Sequence, residues 1–276
     1  MTAKGYPDDR FLVDAAWLRA HRDDPDLRLV DARAGAEYAR EHIPGATNVD
    51  VNAIGTQDTD PAGVDDFNRR QVAALRAAGV GNGSRVVAYD AISGASAARL
   101  VWVLDYYGHD RVHLLDGGLR AWQAAGGEVT AATPPTPPGD FAAHPRGAAV
   151  ATYRDILDRL GNDDTVILDT RRRSEYLGTE VRAKRGGTIP GAVHLEWLNH
   201  LDDAGALRDA DTLRDLFAAH GITPDKEVIP FCGGGYRSAH AYLVLTMLGY
   251  PRVRNYLGSW GEWGNREGLP IEVPEE

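Results

Sequence analysis

Apolar positions along this chain switch repeatedly between helical spacing and short continuous runs, and each switch predicts an element. Phe11 to His21 has helical spacing with Asp14 as a candidate cap, and Leu27 to Arg33 is a strand-like run ending in an acid and a base. After Glu37-Tyr38 and the turn Glu41-His42-Ile43-Pro44-Gly45-Ala46, a second short strand is expected at Asn48 to Val51. The Asp-rich stretch Thr56 to Asp66 predicts surface loop, and Phe67 to Ala78 predicts a helix stopped by Gly79. Arg85 to Asp90 reads as a strand and Ser96 to Tyr107 as a helix stopped by Gly108. Val112 to Leu115 then leads through Asp116-Gly117-Gly118 into a helix that includes Trp122.

The same order restarts in the second half. Thr165 to Arg171 matches the strand that ends in Asp31 and Arg33, and Glu175-Tyr176 matches Glu37-Tyr38. Ile189-Pro190-Gly191-Ala192 matches Ile43-Pro44-Gly45-Ala46, Val228 to Cys232 matches Val86 to Asp90, and Val253 to Gly258 with Trp263 matches Val112 to Gly117 with Trp122. Self-similarity over half a chain means two copies of one fold. Alternating strands and helices predict an α/β protein with a mainly parallel sheet in each copy. Between the copies, Pro134-Pro135-Thr136-Pro137-Pro138 predicts a stiff extended connector. The expected division is a first domain at 1–128, a Pro-rich linker at 129–147 and a second domain at 148–276.

The copies differ at one strand end. In the second, an apolar run ends in Cys232, the only cysteine of 276 residues, followed by Gly233, Gly234, Gly235, Tyr236, Arg237 and Ser238. An apolar helix, Ala239 to Leu248, comes next and is stopped by Gly249 with Pro251 beyond. That places Cys232 at the carboxyl edge of the sheet, where open α/β sheets bind ligands. Glycines in series can turn successive N–H groups toward one point, and such a nest at a helix N-terminus lowers a thiol's pKa. A lone cysteine is commonly a small buried hydrophobe. Here glycines and an arginine follow it instead of more core residues, which points to a nucleophilic thiolate with Arg237 as a fixed positive charge. The counterpart position is Asp90, which cannot act as a sulfur nucleophile, so the first domain is expected to be a structural partner and one wall of the cleft.

Charge and composition narrow the partners. Thirty basic against 40 acidic residues give a net charge of −10, with no basic run suited to nucleic acid or an anionic membrane. The polar segment Met1 to Arg10 lacks the apolar core of a signal peptide, and no apolar run approaches spanning length. A cytoplasmic protein with a reduced thiol is the expectation. One cysteine excludes an internal disulfide and any multi-cysteine metal site, and His42 and His240 have no metal-ligand company. Asp31/Arg33 and Asp169/Arg171 read as structural ion pairs, and Trp260 and Trp263 as core.

In these motifs the chain resembles the rhodanese-like sulfurtransferases in their two-domain form. The likeness rests on Val30-Asp31-Ala32-Arg33, His42 to Ala46 and Leu114 to Gly118 in the first copy. In the second it rests on Asp169-Thr170-Arg171, Tyr176-Leu177-Gly178-Thr179, Ile189 to Ala192 and the Cys232 loop. The resemblance implies two tandem domains, each a mainly parallel sheet flanked by helices. It also implies double displacement: Cys232 takes the outer sulfur of a small anionic donor such as thiosulfate, and a thiol or cyanide removes it from the persulfide. Neither metal nor organic cofactor is then needed. Cys232 and Arg237 would be the catalytic pair, with Gly233, Gly234, Gly235, Tyr236 and Ser238 as the persulfide-binding loop.

Departures from the family pattern keep the donor open. The branch that uses 3-mercaptopyruvate typically has a serine two residues after the cysteine, where this chain has Gly234. An arginine expected before Tyr176 is Glu175, which would repel an anionic donor if it faced the site. Arg182, Lys184 and Arg185 are candidate replacements for that charge, with a solvated loop as their other reading. A phosphatase or arsenate reductase of the same fold would use five residues between Cys and Arg; four separate Cys232 from Arg237. A persulfide carrier serving a protein partner needs the same thiolate and stays open.

Overall fold

The computed structural model describes residues 4–275. Met1 to Ala3 and Glu276, the outer ends of the two expected domains, lie outside the described residues. The first half runs β1 (Leu12–Val13), α1 (Ala15–His21), β2 (Leu27–Asp31), α2 (Gly35–Arg40), β3 (Thr47–Asn48), α3 (Pro61–Ala77), β4 (Arg85–Tyr89), α4 (Ala95–Tyr106), β5 (Val112–Leu115) and α5 (Gly118–Ala124). The second repeats it with β6 (Val150–Ala151), α6 (Tyr153–Leu157), β7 (Thr165–Asp169), α7 (Arg173–Tyr176), β8 (Val193–His194), α8 (Ala210–Ala219), β9 (Glu227–Phe231), α9 (Arg237–Met247), β10 (Asn255–Tyr256) and α10 (Ser259–Trp263).

Three expectations are corrected. The helix foreseen from Phe11 starts at Ala15, because Leu12 and Val13 pair in parallel with β5 as an edge strand and Asp14 then caps Trp17 N at 2.7 Å. The strand foreseen at Asn48 to Val51 is only two residues long, and Val51–Ile54 coils into a 3₁₀ turn. The Asp-rich loop ends early: extended Asp60 precedes Pro61 at the first position of α3, where a missing N–H costs nothing. Asp65 and Asp66 lie on this helix, whose inner face is Phe67, Gln71 and Leu75.

All strand pairings within the two sheets are parallel. The first sheet has the order β1-β5-β4-β2-β3. In the second, β8-β7-β9 and β10-β6 are linked by a parallel bridge between Val228 and Val253, which gives the same order. Register repeats as well: Leu27 to Asp31 lies opposite Arg85 to Tyr89, and Thr165 to Asp169 opposite Glu227 to Phe231. These strands are nearly all buried, as parallel strands covered by helices on both faces must be.

The largest core cluster belongs to both halves. α4 packs against α9, burying Leu100 and Val103 with Leu243 and Val244, and full burial of each such side chain is worth about 1.5–3 kcal/mol. Two smaller clusters lie on the outer faces, one around Leu18, Tyr38 and Trp122 and one around Ile156, Trp260 and Trp263. The connector has no helix or strand from Ala131 to Arg146 and runs along the first half. It is held by Gly139 N to Arg76 O at 2.8 Å and His144 N to Tyr107 O at 3.0 Å, with Phe141 buried. The opposite crossing is made by the chain's start, where Ala210 N donates to Lys4 O at 2.8 Å. No helix among the described residues is long and apolar enough to cross a membrane.

Candidate active site

β9 ends at Phe231, and the next residue, Cys232, lies at the sheet's carboxyl edge below the N-terminus of α9. Its side chain is buried, yet it is not surrounded by hydrocarbon alone. Gly235 N donates to Sγ at 3.2 Å and Ser238 Oγ lies 3.6 Å from it. The turn needs glycine at 235, where φ is +85°. A Cβ there would come within 2.6 Å of Arg99 Nη1 and 2.9 Å of Leu257 O.

A second loop, after β10, holds the cysteine's backbone. Cys232 N donates to Ser259 Oγ at 3.1 Å, Trp260 N donates to Cys232 O at 2.8 Å, and Gly261 N donates to Gly233 O at 2.8 Å. Ser259 has φ +50°, the only non-glycine residue in the left-handed region among those described. Its counterpart in the first copy is Gly118, also left-handed at φ +55°. A serine where the sibling copy needs glycine is the sequence signal that would have singled it out.

Burial pushes the Cys232 thiol up, but the Arg237 charge, the amides of Ser238 and Gly234 and the Ser238 hydroxyl outweigh it and bring the thiol down to about 7. The thiolate is therefore well populated at neutral pH. Of the other expected site residues, Gly233 and Gly234 flank the sulfur half-buried, and Tyr236 OH donates across to Val51 O of the first half at 3.1 Å.

Arg237 has a partner in Glu175, whose position relative to the site the sequence left open. Its Nη1 and Nη2 donate to the two carboxylate oxygens of Glu175 at 2.6 and 3.0 Å, and Glu175 is only 2% exposed. The repulsion expected from Glu175 is thus cancelled by Arg237 itself. Burial raises the Glu175 carboxyl, but Arg237 more than reverses this and holds it below its usual value. The candidate charges at 182–185 divide. Arg182 is exposed and paired with Glu180 at 2.7 Å, and Lys184 is exposed, its amide bonded to Asn265 Oδ1 at 2.8 Å. Arg185 spends its guanidinium on the carbonyls of Gly264, Leu269, Trp263 and Arg266 at 2.6 to 3.2 Å, so it fastens this segment to the α10 end.

The buried Asp/Arg pairs are built alike in both copies. Arg33 Nη2 bonds Asp31 Oδ2 at 2.6 Å and Glu41 O at 2.6 Å; Arg171 Nη2 bonds Asp169 Oδ2 at 2.6 Å and Gly187 O at 2.7 Å. In both copies Nε and Nη2 are spent on the neighbouring aspartate and a backbone carbonyl, as a structural pair requires. His240 spans the halves, with Nε2 3.0 Å from Ser93 O and Nδ1 3.2 Å from His200 Nδ1. Burial pushes His240 down to about 4, so it is neutral at pH 7.

Comparison with known proteins agrees with this geometry. The family model of the rhodanese-like domain matches residues 14–125 and again 152–266. The chain is 38% identical over 272 residues to the thiosulfate sulfurtransferase of Pseudomonas aeruginosa, covering 97% of this chain and 99% of that protein. It is 32% identical over 276 residues to the 3-mercaptopyruvate sulfurtransferase of Escherichia coli, covering 95% of this chain and 98% of that one. A solved structure of EanB with a cysteine persulfide and ergothioneine aligns at a TM-score of 0.85 and 25% identity, over 97% of this chain and 71% of that chain. With two matched copies spanning most of its length and relatives that align end to end, this chain belongs to the rhodanese-like family.

Proposed function

We propose that the protein moves a sulfane sulfur from thiosulfate to a thiol or cyanide through a persulfide on Cys232. The thiolate attacks the outer sulfur of the donor, the donor's S–S bond breaks, and sulfite leaves with the electron pair. The acceptor then attacks the outer sulfur of the persulfide and returns the thiolate, so no net oxidant or reductant is consumed. One observation carries this reading: the Cys232 sulfur lies at the end of β9 with the Gly235 amide donating to it at 3.2 Å and the Ser238 hydroxyl 3.6 Å away, an arrangement that favours the thiolate. The same dipoles hold the charge when it moves one atom outward onto the persulfide.

Arg237 serves here as a loop-holding charge tied to Glu175, and Gly233, Gly234, Gly235, Tyr236 and Ser238 form the sulfur-binding rim. Lys184 is an exposed cation available to a passing anion, Arg182 is taken up by Glu180, and Arg185 is structural. The catalytic unit is 148–276, with 1–128 as its partner across the 129–147 connector, and the cytoplasm keeps the free thiol reduced. The 3-mercaptopyruvate reading is kept by the Escherichia coli relative and differs only in donor.

Intact mass after incubation with thiosulfate or with 3-mercaptopyruvate tests this. The wild type gains one sulfur atom and Cys232→Ser gains none, with faster loading from the true donor. No gain from either donor, or turnover of an aryl phosphate instead, overturns the proposal. Slow turnover with cyanide beside rapid transfer to a protein acceptor would make the chain a carrier.

A further inference from the structure

The Cys232 site has an unbalanced charge that comes from the other copy. Arg237 supplies one positive charge to the sulfur, but it also has its own carboxylate partner in Glu175. Arg99, on α4 of the copy without cysteine, is fully buried and forms no ion pair among the described residues. Its Nη1 donates to Gly235 O at 2.9 Å, while Nε and Nη2 have no hydrogen-bond partner. Gly235 is also the residue whose amide donates to Cys232 Sγ. The guanidinium is enclosed by aromatic rings, with Trp102 at 4.5 Å and Phe67 and Tyr236 each at 5.2 Å. Such contacts favour a cation but do not neutralise it.

An uncompensated buried cation is costly and needs a nearby anion. The groups that ionise within its reach are the phenols of Tyr236 and Tyr107 and the Cys232 thiol. Burial pushes both phenols above their ordinary range, so neither is charged at neutral pH. The sulfur remains. We propose that Arg99 is a positioning residue for Cys232, fixing the Gly235 carbonyl and supplying, from the domain that lacks the cysteine, the counter-charge for the sulfur anion. The two-domain arrangement then has a chemical use: the second copy's loop is electrically complete only when the first copy is docked on it.

The test is the ionisation of Cys232 in the full chain, followed by thiolate ultraviolet absorbance against pH with the matching Cys232→Ser protein subtracted. Wild type should titrate near 7. Arg99→Met removes a buried charge while keeping much of the volume, and Arg99→Gln keeps a donor for Gly235 O. Both should raise the midpoint by about one pH unit, a tenfold loss of thiolate below it, with folding checked by circular dichroism. Arg99→Lys should restore most of the shift. An unchanged midpoint in either folded neutral variant overturns the proposal, and so does an equal rise in Arg99→Lys, because charge would then not be the cause. The readout is ionisation and not sulfur transfer, so it stands apart from the reaction proposed above.

Discussion

The loops after β4 and β9 are the same device holding different anions. In the first copy, the Asp90 carboxylate accepts from the amides of Ile92, Gly94, Ser96 and Ala97 at 3.0 to 3.2 Å. In the second, Cys232 sulfur takes that place, with Gly235 N and Ser238 Oγ turned toward it. The supporting loops match too: Leu119 N to Asp90 O and Trp260 N to Cys232 O are both 2.8 Å. A main-chain nest therefore precedes the chemistry and selects only for negative charge. In the first copy the protein's own carboxylate fills it; burial pushes that carboxyl up to about 6 against the pull of the four amides, leaving it ionised at neutral pH. A cavity of about 280 Å³ opens beside it, lined by Asp90, Ser96 and Trp197 among others.

Turning one loop into the other is the sharpest test. Cys232→Asp should fold, with its carboxylate accepting the amides, and should lose sulfur loading completely by intact mass. Retained loading would place the acceptor atom elsewhere. The next largest effect is on stability. Arg237→Ala leaves Glu175 buried without its cation and should cost about 3–5 kcal/mol in denaturant unfolding. Joint replacement, Arg237→Met with Glu175→Leu, should recover most of that loss in stability while the thiol midpoint rises, because the Arg237 charge that lowers it is gone. An unchanged midpoint in the joint variant would show that Arg237 lends the sulfur no net charge.

Smallest is the effect at Ser259. Ser259→Ala keeps the left-handed backbone but leaves Cys232 N unpaired, and should destabilise by about 1–3 kcal/mol. Ser259→Gly, which copies Gly118, removes the strain as well and should lie within about 1 kcal/mol of wild type. Equal losses would mean that the hydroxyl's bond, and not the backbone, sets the cost. The pH sense of the comparison is fixed by the shift at Cys232. Its folded pKa lies below that of an unfolded cysteine, so its ionisation stabilises the protein above the unfolded value and this contribution is lost as pH falls through about 7. Melting of wild type minus Cys232→Ser should show that slope.

The repeat, the parallel sheets and the candidate nucleophile were legible in the linear chain because each depends on local pattern: the strand runs, the glycines after Cys232, and the two Ile-Pro-Gly-Ala turns. What pattern could not show was who partners whom. Glu175 and Arg237 are 62 residues apart, and only folding brings α7 under the start of α9, turning an expected repulsion into a neutral pair. Arg99 lies inside an otherwise apolar helix of the copy without cysteine, 136 residues from the carbonyl it holds. An arginine among Leu100, Val101 and Trp102 is an oddity in sequence and acquires a role only where α4 meets α9. Sequence alone singled out the candidate atom, since thiol reactivity and glycine freedom are properties of residues. The tertiary structure decided which charges surround that atom, since electrostatic balance in a buried site is summed over neighbours that chain order does not reveal.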